Sequence, residues 1–318
     1  IHSVHSLLGT GYTRLEIIVV NDGSSDDTLA ILTEAFRLTP TERVPRSGLT
    51  TAPIRATYES LDDSRIIVVD KVQGGKADAL NAGINVSTFP LVCAVDADTL
   101  LDRGAIGRLV WEFQSDPRTV ATGGIVRISN GSSVEDGLIT SVKMPSGFLT
   151  QVQILEYLRA FFGGRIAWSR LNCLIVISGA FGLFRRQALV DIGGYDPNTV
   201  TEDAELIVRL HQHSRDNGAP CRITFFPDPV CWTEAPTTIA QLARQRDRWQ
   251  RGLGQTLLDS RSMLFRRRYG RIGWFALPYY WVFEFLEPLI TVVGVVMSIF
   301  GLAFGFLSPT FFAFVLLL

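Results

Sequence analysis

Two aspartates, Asp96 and Asp98, close the apolar run LVCAVDAD two residues apart. Side chains at i and i+2 of a strand share one face, so both carboxylates can converge on one cation. An all-oxygen pair with room left for phosphate suits Mg²⁺ or Mn²⁺. The plain alternative is a solvated strand end whose acids cap the next helix.

Three further clusters have chemical potential. NDGSSDDT, which contains Asp22, is an acidic turn that also caps a helix, and it lacks the twelfth-position Glu of an EF-hand loop. GGKADALNAG puts Lys76 behind two glycines at a helix start, where backbone can approach an anionic group. It is no Walker loop, because no Ser or Thr follows the lysine. TEDAEL sets Thr201, Glu202 and Asp203 at a helix N-terminus, whose positive end keeps carboxylates ionised. An ionised carboxylate can accept a proton from a hydroxyl; plain helix capping is the alternative. In QRDRWQRG, Gln245 and Trp249 are i and i+4 and share a helix face, with Arg248 beside it. There the alternative is an interfacial helix whose Trp and Arg anchor headgroups.

The elements that must position these residues follow from periodicity. RLEIIVV, RIIVVD and LVCAVDAD are continuous apolar runs typical of buried parallel strands. Between them lie the helical patterns TLAILTEAFRL, after the acidic turn, and ADALNAGINV, after the glycine loop. TLLDRGAIGRLVWEFQSDP follows as a further helix. This alternation predicts an α/β fold with a doubly wound mixed sheet, whose ligands bind at the carboxyl ends of strands. Asn21–Asp27, Lys71–Lys76 and Asp96–Asp98 all fall at such ends. In the second half, TGGIVRISNG is expected as a strand pair and TQVQILEYLRAFFGGRIAW as a domain helix. CLIVISGAFGLFRRQAL reads as strand, turn and helix, and TEDAELIVRLHQHS as an amphipathic helix.

The hydrophobic fraction of 47% is unevenly spread, since residues 288–318 carry no charge at all. PLITVVGVVMSIFGLAFGFL is about 20 residues, enough to cross a ~30 Å hydrocarbon core as a helix. SPTFFAFVLLL reads as a second span cut off by the chain end. Nine arginines lie between Gln241 and Arg271 against Asp247 and Asp259 only. That excess predicts a cytoplasmic border, hence a multi-pass protein of the cell membrane with its polar part in the cytoplasm and a lipid bilayer as partner. The expected divisions are a catalytic domain over 1–240, an interfacial helix region over 241–273 and membrane segments over 274–318. No nucleic-acid partner is expected, although the net charge of −1 by itself says nothing about one. Cys93, Cys173, Cys221 and Cys231 form no Cys-x-x-Cys pair and read as reduced, buried thiols.

A strand ending in Asp-x-Asp-x-Thr resembles the nucleophile motif of haloacid-dehalogenase-type phosphatases, with Asp96 attacking phosphorus. That motif usually opens its domain, and its later lysine and paired acids have no match here. Taken in order, VNDGSSDDT, GGKADALNAG, VDADT, SGAFGLFRR, TEDAEL and QRDRW resemble the processive family-2 glycosyltransferases, the membrane synthases of cellulose, chitin, hyaluronan and poly-N-acetylglucosamine. The likeness covers Glu16 to Gly252. It implies a GT-A-like fold and inverting transfer from a UDP-sugar to a polysaccharide acceptor, with Mg²⁺ or Mn²⁺ as cofactor; transfer to a lipid carrier is the alternative within the class. It implies that Asp22 contacts the uridine, that Lys76 lies near the nucleotide, and that Asp96 and Asp98 hold a metal on the diphosphate. Asp203 then matches the general base, while Ser178, Gly179 and Glu202 line the acceptor site. Gln245, Arg248 and Trp249 match Gln-x-x-Arg-Trp, with the indole under the terminal sugar and the guanidinium facing the diphosphate. An export subunit is a further implied partner. The family's first strand should precede Ile1, and its gating loop should lie beyond Leu318.

Overall fold

The structure, a computed structural model, describes residues 1–317. A short helix, α1 (His2–Gly9), precedes β1 (Ile17–Asp22), α2 (Thr28–Phe36), β2 (Leu38–Thr41), β3 (Ile54–Ser60), β4 (Ile66–Lys71) and α3 (Lys76–Val86). Next come β5 (Leu91–Val95), β6 (Leu100–Leu101), α4 (Ala105–Ser115), β7 (Thr119–Ile128), and the hairpin strands β8 (Ser133–Glu135) and β9 (Leu138–Ser141). They are followed by α5 (Phe148–Leu158), a π-helical segment at Arg159–Arg165, α6 (Ile166–Arg170), β10 (Phe181–Arg185), α7 (Arg186–Asp191), α8 (Glu202–Asp216), β11 (Arg222–Thr233) and α9 (Ile239–Asp259).

The expected α/β class holds, but the single doubly wound sheet does not. Among the described residues the strands form two mixed sheets, ordered β1-β4-β3-β2 and β5-β10-β7-β11-β6, beside the β8-β9 hairpin. The apolar runs alone could not separate these arrangements. β5 takes as its partner β10, antiparallel and some ninety residues later, rather than β1. TGGIVRISNG lies in one long strand, β7, paired parallel to β11, and in the turn after it. The helix expected from Thr99 begins only at Ala105, because Leu100 and Leu101 pair with β11. In CLIVISGAFGLF the strand follows the turn instead of preceding it. Each sheet has its own apolar core. The larger includes Leu109, Ile125, Phe181 and Leu206, and the smaller includes Ile17, Phe36, Ile66 and Val68.

α3 ties this framework to its loops through polar side chains on its buried face. Asp78, Asn81 and Asn85 stand at i, i+3 and i+7, one helical stripe. Asp78 accepts from the Ala52 amide at 2.9 Å. Asn81 both donates to and accepts from the Tyr195 backbone at 2.8 Å, and Asn85 does the same for Leu49. Each pair satisfies backbone groups that a buried loop would otherwise leave unmatched.

Residues 257–318 cluster as a second unit. Helical turns over 272–285 break at Leu286 and continue as Glu287–Ala303, bent by 51°. No single helix among the described residues is long and apolar enough to cross a membrane; this bent pair passes that test only together. The span expected over 288–307 stops at Ala303 after 17 residues, about 25 Å. Its end is a Schellman motif. Gly305 takes φ +73°, the Phe306 amide donates to the Gly301 carbonyl at 2.7 Å, and the Gly305 amide donates to that of Leu302 at 3.2 Å. Of the expected second span, Pro309–Leu317 is helical and Leu318 lies outside the described residues.

His211 on α8 is fully buried, its Nε2 3.0 Å from the Leu174 carbonyl. A carbonyl only accepts, so Nε2 carries a proton. Burial holds its pKa down at about 3. The unfolded chain therefore binds a proton that the folded chain refuses. This contribution is complete above the unfolded value of 6.5 and is lost as pH falls toward 3. The loss is about 1.4 kcal/mol per pH unit within that window. Thermal melts between about pH 7 and about pH 5 should show a falling midpoint, and His211→Gln should flatten that slope.

Candidate active site

The parallel register of β1 and β4 sets Asp22 opposite Lys71. Lys71, fully buried, reaches Asp22 Oδ1 at 2.5 Å, Asp78 Oδ1 at 2.6 Å and the Val72 carbonyl at 2.7 Å. Asp22 also accepts from the Gly74 amide at 2.9 Å and the Gly75 amide at 2.7 Å. Burial alone would raise the Asp22 pKa, but the Lys71 ammonium and the two amides outweigh it and hold the carboxyl below its usual range. Burial works against the charged form of Lys71 as well, yet Asp22 and Asp78 hold its pKa above normal. Two close approaches need glycine. A Cβ on Gly23 (φ +69°) would lie 2.7 Å from the Gln73 nitrogen, and one on Gly74 would lie 2.6 Å from Asp78. Asp22 thus fixes the loop that delivers Lys76 to the start of α3.

Lys76 carries the second node. Its Nζ lies 2.6 Å from Asp96 Oδ1 and 3.0 Å from Glu202 Oε1. Beside it, Asp203 accepts from the Ala204 amide at 2.8 Å and from the Gly179 amide at 3.0 Å. Gly179 covers the group. A Cβ there would sit 3.0 Å from Lys76 Nζ, 3.5 Å from Glu202 and 3.6 Å from Asp203. Burial, reinforced by the neighbouring Glu202 carboxylate, raises the Asp203 pKa against the two amides and Lys76. Burial also raises that of Asp96, opposed by Lys76. Asp203 is therefore a carboxylate of increased basicity held by two amides. Thr201, at the N-cap position, makes no side-chain cap bond.

Asp98 is exposed and makes no hydrogen bond or ion pair among the described residues, while Asp96 keeps one oxygen outside its ion pair with Lys76. No group of three or more His, Cys, Asp or Glu that could hold a metal occurs among the described residues. Two carboxylates with open positions fit a hard cation that takes its other ligands from water and phosphate.

α9 docks on the loop before α8. Gln255 accepts from the Val200 amide at 3.0 Å and donates to the Asn198 carbonyl at 3.2 Å. Gly252 presses on Thr201, leaving no room for a Cβ. One turn earlier Trp249 is 37% exposed, and Arg248 is exposed without an ion partner among the described residues. Gln245 Oε1 is buried and unmatched. The structure thus unites Lys76, Asp96, Gly179, Glu202 and Asp203. It joins neither Gln245, Arg248 nor Trp249 to them by a hydrogen bond or ion pair. Ser178 forms the turn under Gly179, its carbonyl accepting from Phe181. The sequence reasoning gave two residues no role of their own. Lys71 ends an apolar strand and shows its role only once the β1–β4 register is known. Arg246 stacks over Trp249 at 4.8 Å and bonds Glu156 of α5. A cavity of about 650 Å³ lined by Arg118, Arg170 and Arg222 contains none of the site residues.

Lys71→Met should leave two carboxylates facing each other in the core. Removing one partner of a buried pair costs about 3–5 kcal/mol. The melting temperature should fall steeply, and the double variant Lys71→Met/Asp78→Leu should recover part of the loss.

Comparison with known proteins gives the family and the fold. Residues 2–252 match the family described as "Glycosyltransferase like family 2". The chain is 30% identical over 257 residues to the poly-beta-1,6-N-acetyl-D-glucosamine synthase of Staphylococcus aureus, covering 80% of this chain and 52% of that protein. The Staphylococcus epidermidis protein of the same name matches at 30% over 256 residues, with the same coverage. The chain thus spans about half the length of these relatives. Among solved structures, the mannosyltransferase PcManGT of Pyrobaculum calidifontis, in complex with GDP-Man and Mn²⁺, superposes with a TM-score of 0.62 at 17% identity, over 99% of this chain and 80% of that one. S. aureus TarS 1–349 in complex with UDP-GlcNAc gives 0.54 at 13% identity, over 91% and 70%. These two share the GT-A-like fold. The phosphatase alternative for Asp96 falls away, and the chain belongs to glycosyltransferase family 2.

Proposed function

We propose that this chain is the catalytic part of a membrane-bound, inverting glycosyltransferase. It would add sugar from a UDP-sugar, UDP-N-acetylglucosamine foremost, to the end of a growing polysaccharide. The observation that carries this reading is the convergence of Lys76, Asp96, Gly179, Glu202 and Asp203 from four distant segments. The similarity to poly-N-acetylglucosamine synthases supports the polymer and the amino sugar.

Asp203 takes the proton from the acceptor hydroxyl as that oxygen attacks the anomeric carbon. Its raised pKa suits the task, because a base works best with a pKa near the operating pH. Attack from the face opposite the leaving group inverts the centre, so no second nucleophilic carboxylate is needed. Lys76 sits at a helix start, where its ammonium and the backbone amides favour an anionic group. Asp22 fixes the loop on which the nucleotide rests. Arg248, unpaired and exposed, is available to the departing diphosphate, whose oxygens a guanidinium matches bidentately. Trp249 offers the flat face on which the terminal acceptor sugar stacks. Asp96 and Asp98 would hold Mg²⁺ or Mn²⁺, which when bound neutralises charge on the diphosphate. The apolar stretch over 272–303, behind its run of arginines, anchors the enzyme in the cell membrane with the catalytic domain on the cytoplasmic side.

UDP release from a panel of UDP-sugars, with protein in membranes and Mg²⁺ or Mn²⁺, tests the donor. Turnover of one sugar and a loss of about 10²–10⁴-fold in Asp203→Asn is the expected result. Turnover of none of them would overturn the reading. The acid limb of kcat/KM should lie above the ordinary carboxylate value of 3.8 and should be absent from the residual activity of Asp203→Asn, since rate falls as pH drops through the pKa of the base. Trp249→Ala should stop polymer growth while sparing slow hydrolysis of the donor, separated on a gel.

A further inference from the structure

The cleft of about 650 Å³ lies at the end of the larger sheet opposite the catalytic group, and the transfer reaction makes no use of it. Ala94, Gly182, Gly123 and Phe225 form one row across β5, β10, β7 and β11. β5 and β11 run the same way; Asp96 follows that row and Arg222 precedes it. Strand rise and strand spacing then put the two residues on the order of 20 Å apart, too far for one small ligand to reach both. Every residue that lines the cleft belongs to the 1–256 unit.

Its cationic side is pre-organised. Asp116, 9% exposed, accepts from Arg118 Nε at 3.0 Å and Nη2 at 2.7 Å, and from Arg222 Nη1 at 3.2 Å. One carboxylate thereby holds two guanidiniums side by side, and each keeps further N–H donors. Arg170 of α6 lines the same cleft, exposed, with no hydrogen bond or ion pair among the described residues. Two buried polar groups in the wall also lack partners. Thr224 is 3% exposed and its Oγ1 is unmatched. Glu112 of α4 is 8% exposed and makes no hydrogen bond or ion pair among the described residues. Buried polar groups cost free energy until something pairs them, so both point to a ligand. Phe225 and Phe226 supply an aromatic face between these groups and the arginines' side chains. The combination selects a chemical class. A neutral sugar would leave the guanidiniums without a counter-charge, and a bare phosphate would leave Glu112 unpaired and repelled. Guanidiniums match phosphate oxygens bidentately, aromatic faces take a flat ring, and a carboxylate accepts from hydroxyl or amino donors. The volume is that of an ordinary small-molecule site. We propose that this cleft is a second ligand site, for a nucleoside monophosphate. Its phosphate lies at Arg118, Arg170 and Arg222, its ring against Phe225 and Phe226, and its donors at Glu112 and Thr224.

Equilibrium dialysis of the full chain in detergent against labelled AMP, GMP, CMP and UMP, with inorganic phosphate as a separate probe, gives the test. Excess UDP and Mn²⁺ are present throughout to occupy the catalytic site. At least one of the nucleoside monophosphates should bind saturably. Arg170→Ala should weaken that binding about tenfold or more, as the loss of a charge-assisted hydrogen bond does. Asp98→Ala should leave it within about twofold, because Asp98 lies at the other end of the sheet. Both side chains are exposed, so neither variant endangers the fold. Glu112→Gln should weaken the nucleoside monophosphate and leave inorganic phosphate as it was or tighter. Binding lost in Asp98→Ala and kept in Arg170→Ala places the nucleotide at the catalytic site and overturns the inference. Equal binding of nucleotide and inorganic phosphate, both indifferent to Glu112→Gln, makes the cleft a simple anion trap and overturns the class assigned. Absence of saturable binding by all of the nucleoside monophosphates leaves a water-filled cleft and overturns the proposal outright.

Discussion

The ammonium of Lys71 lies buried between the carboxylates of Asp22 and Asp78, and the front of the catalytic domain depends on it. A lone charge taken out of water costs several kcal/mol, so neither the lysine nor the acids are tolerable there singly. Together they leave one excess negative charge, which the Gly74 and Gly75 amides and the Ala52 amide offset. The ion pair joins β1, β4 and α3 at one point. The loop between β4 and α3 then has little freedom, and Lys76, the first residue of α3, is delivered to Asp96 and Glu202.

Around that node the molecule is tied by polar side chains in unexpected places. Asn81 and Asn85 hold the Tyr195 and Leu49 loops to α3, and Gln153 holds α5 to Pro236. Each satisfies buried backbone groups, and each rotates a helix into a fixed setting. For α3 the consequence is a rigid platform beneath Lys76. For α5 it is an apolar face turned outward.

The site combines carboxylates of opposite tendency. Asp22 is kept acidic by a cation and two amides, and serves structure. Asp203 is made more basic by burial and by Glu202, and is the one suited to move a proton. Both are held by backbone amides, so the difference lies in burial and then in neighbouring charge: burial beside a carboxylate raises Asp203, while an ammonium in direct contact outweighs burial at Asp22.

The sequence by itself picked out the candidate site residues. Asp96 and Asp98 at a strand end, Lys76 behind two glycines and Glu202–Asp203 at a helix start were legible, because local spacing dictates those settings. Lengths of continuous apolar sequence also placed β1, β4 and β5. The partners of those strands were not legible. Pairing of β5 with β10 joins segments about ninety residues apart, and apolar runs look alike whichever neighbour they take. Lys71 was given no role of its own for the same reason: that role depends on the β1–β4 register, which no local pattern encodes. The apolar segment before the C-terminus was recognised by composition, but its break at Leu286 and its stop at Gly305 are set by backbone geometry. Helical periodicity found α5 but not which of its faces is buried. Only the tertiary contacts of Gln153, Tyr157 and Phe161 decided that.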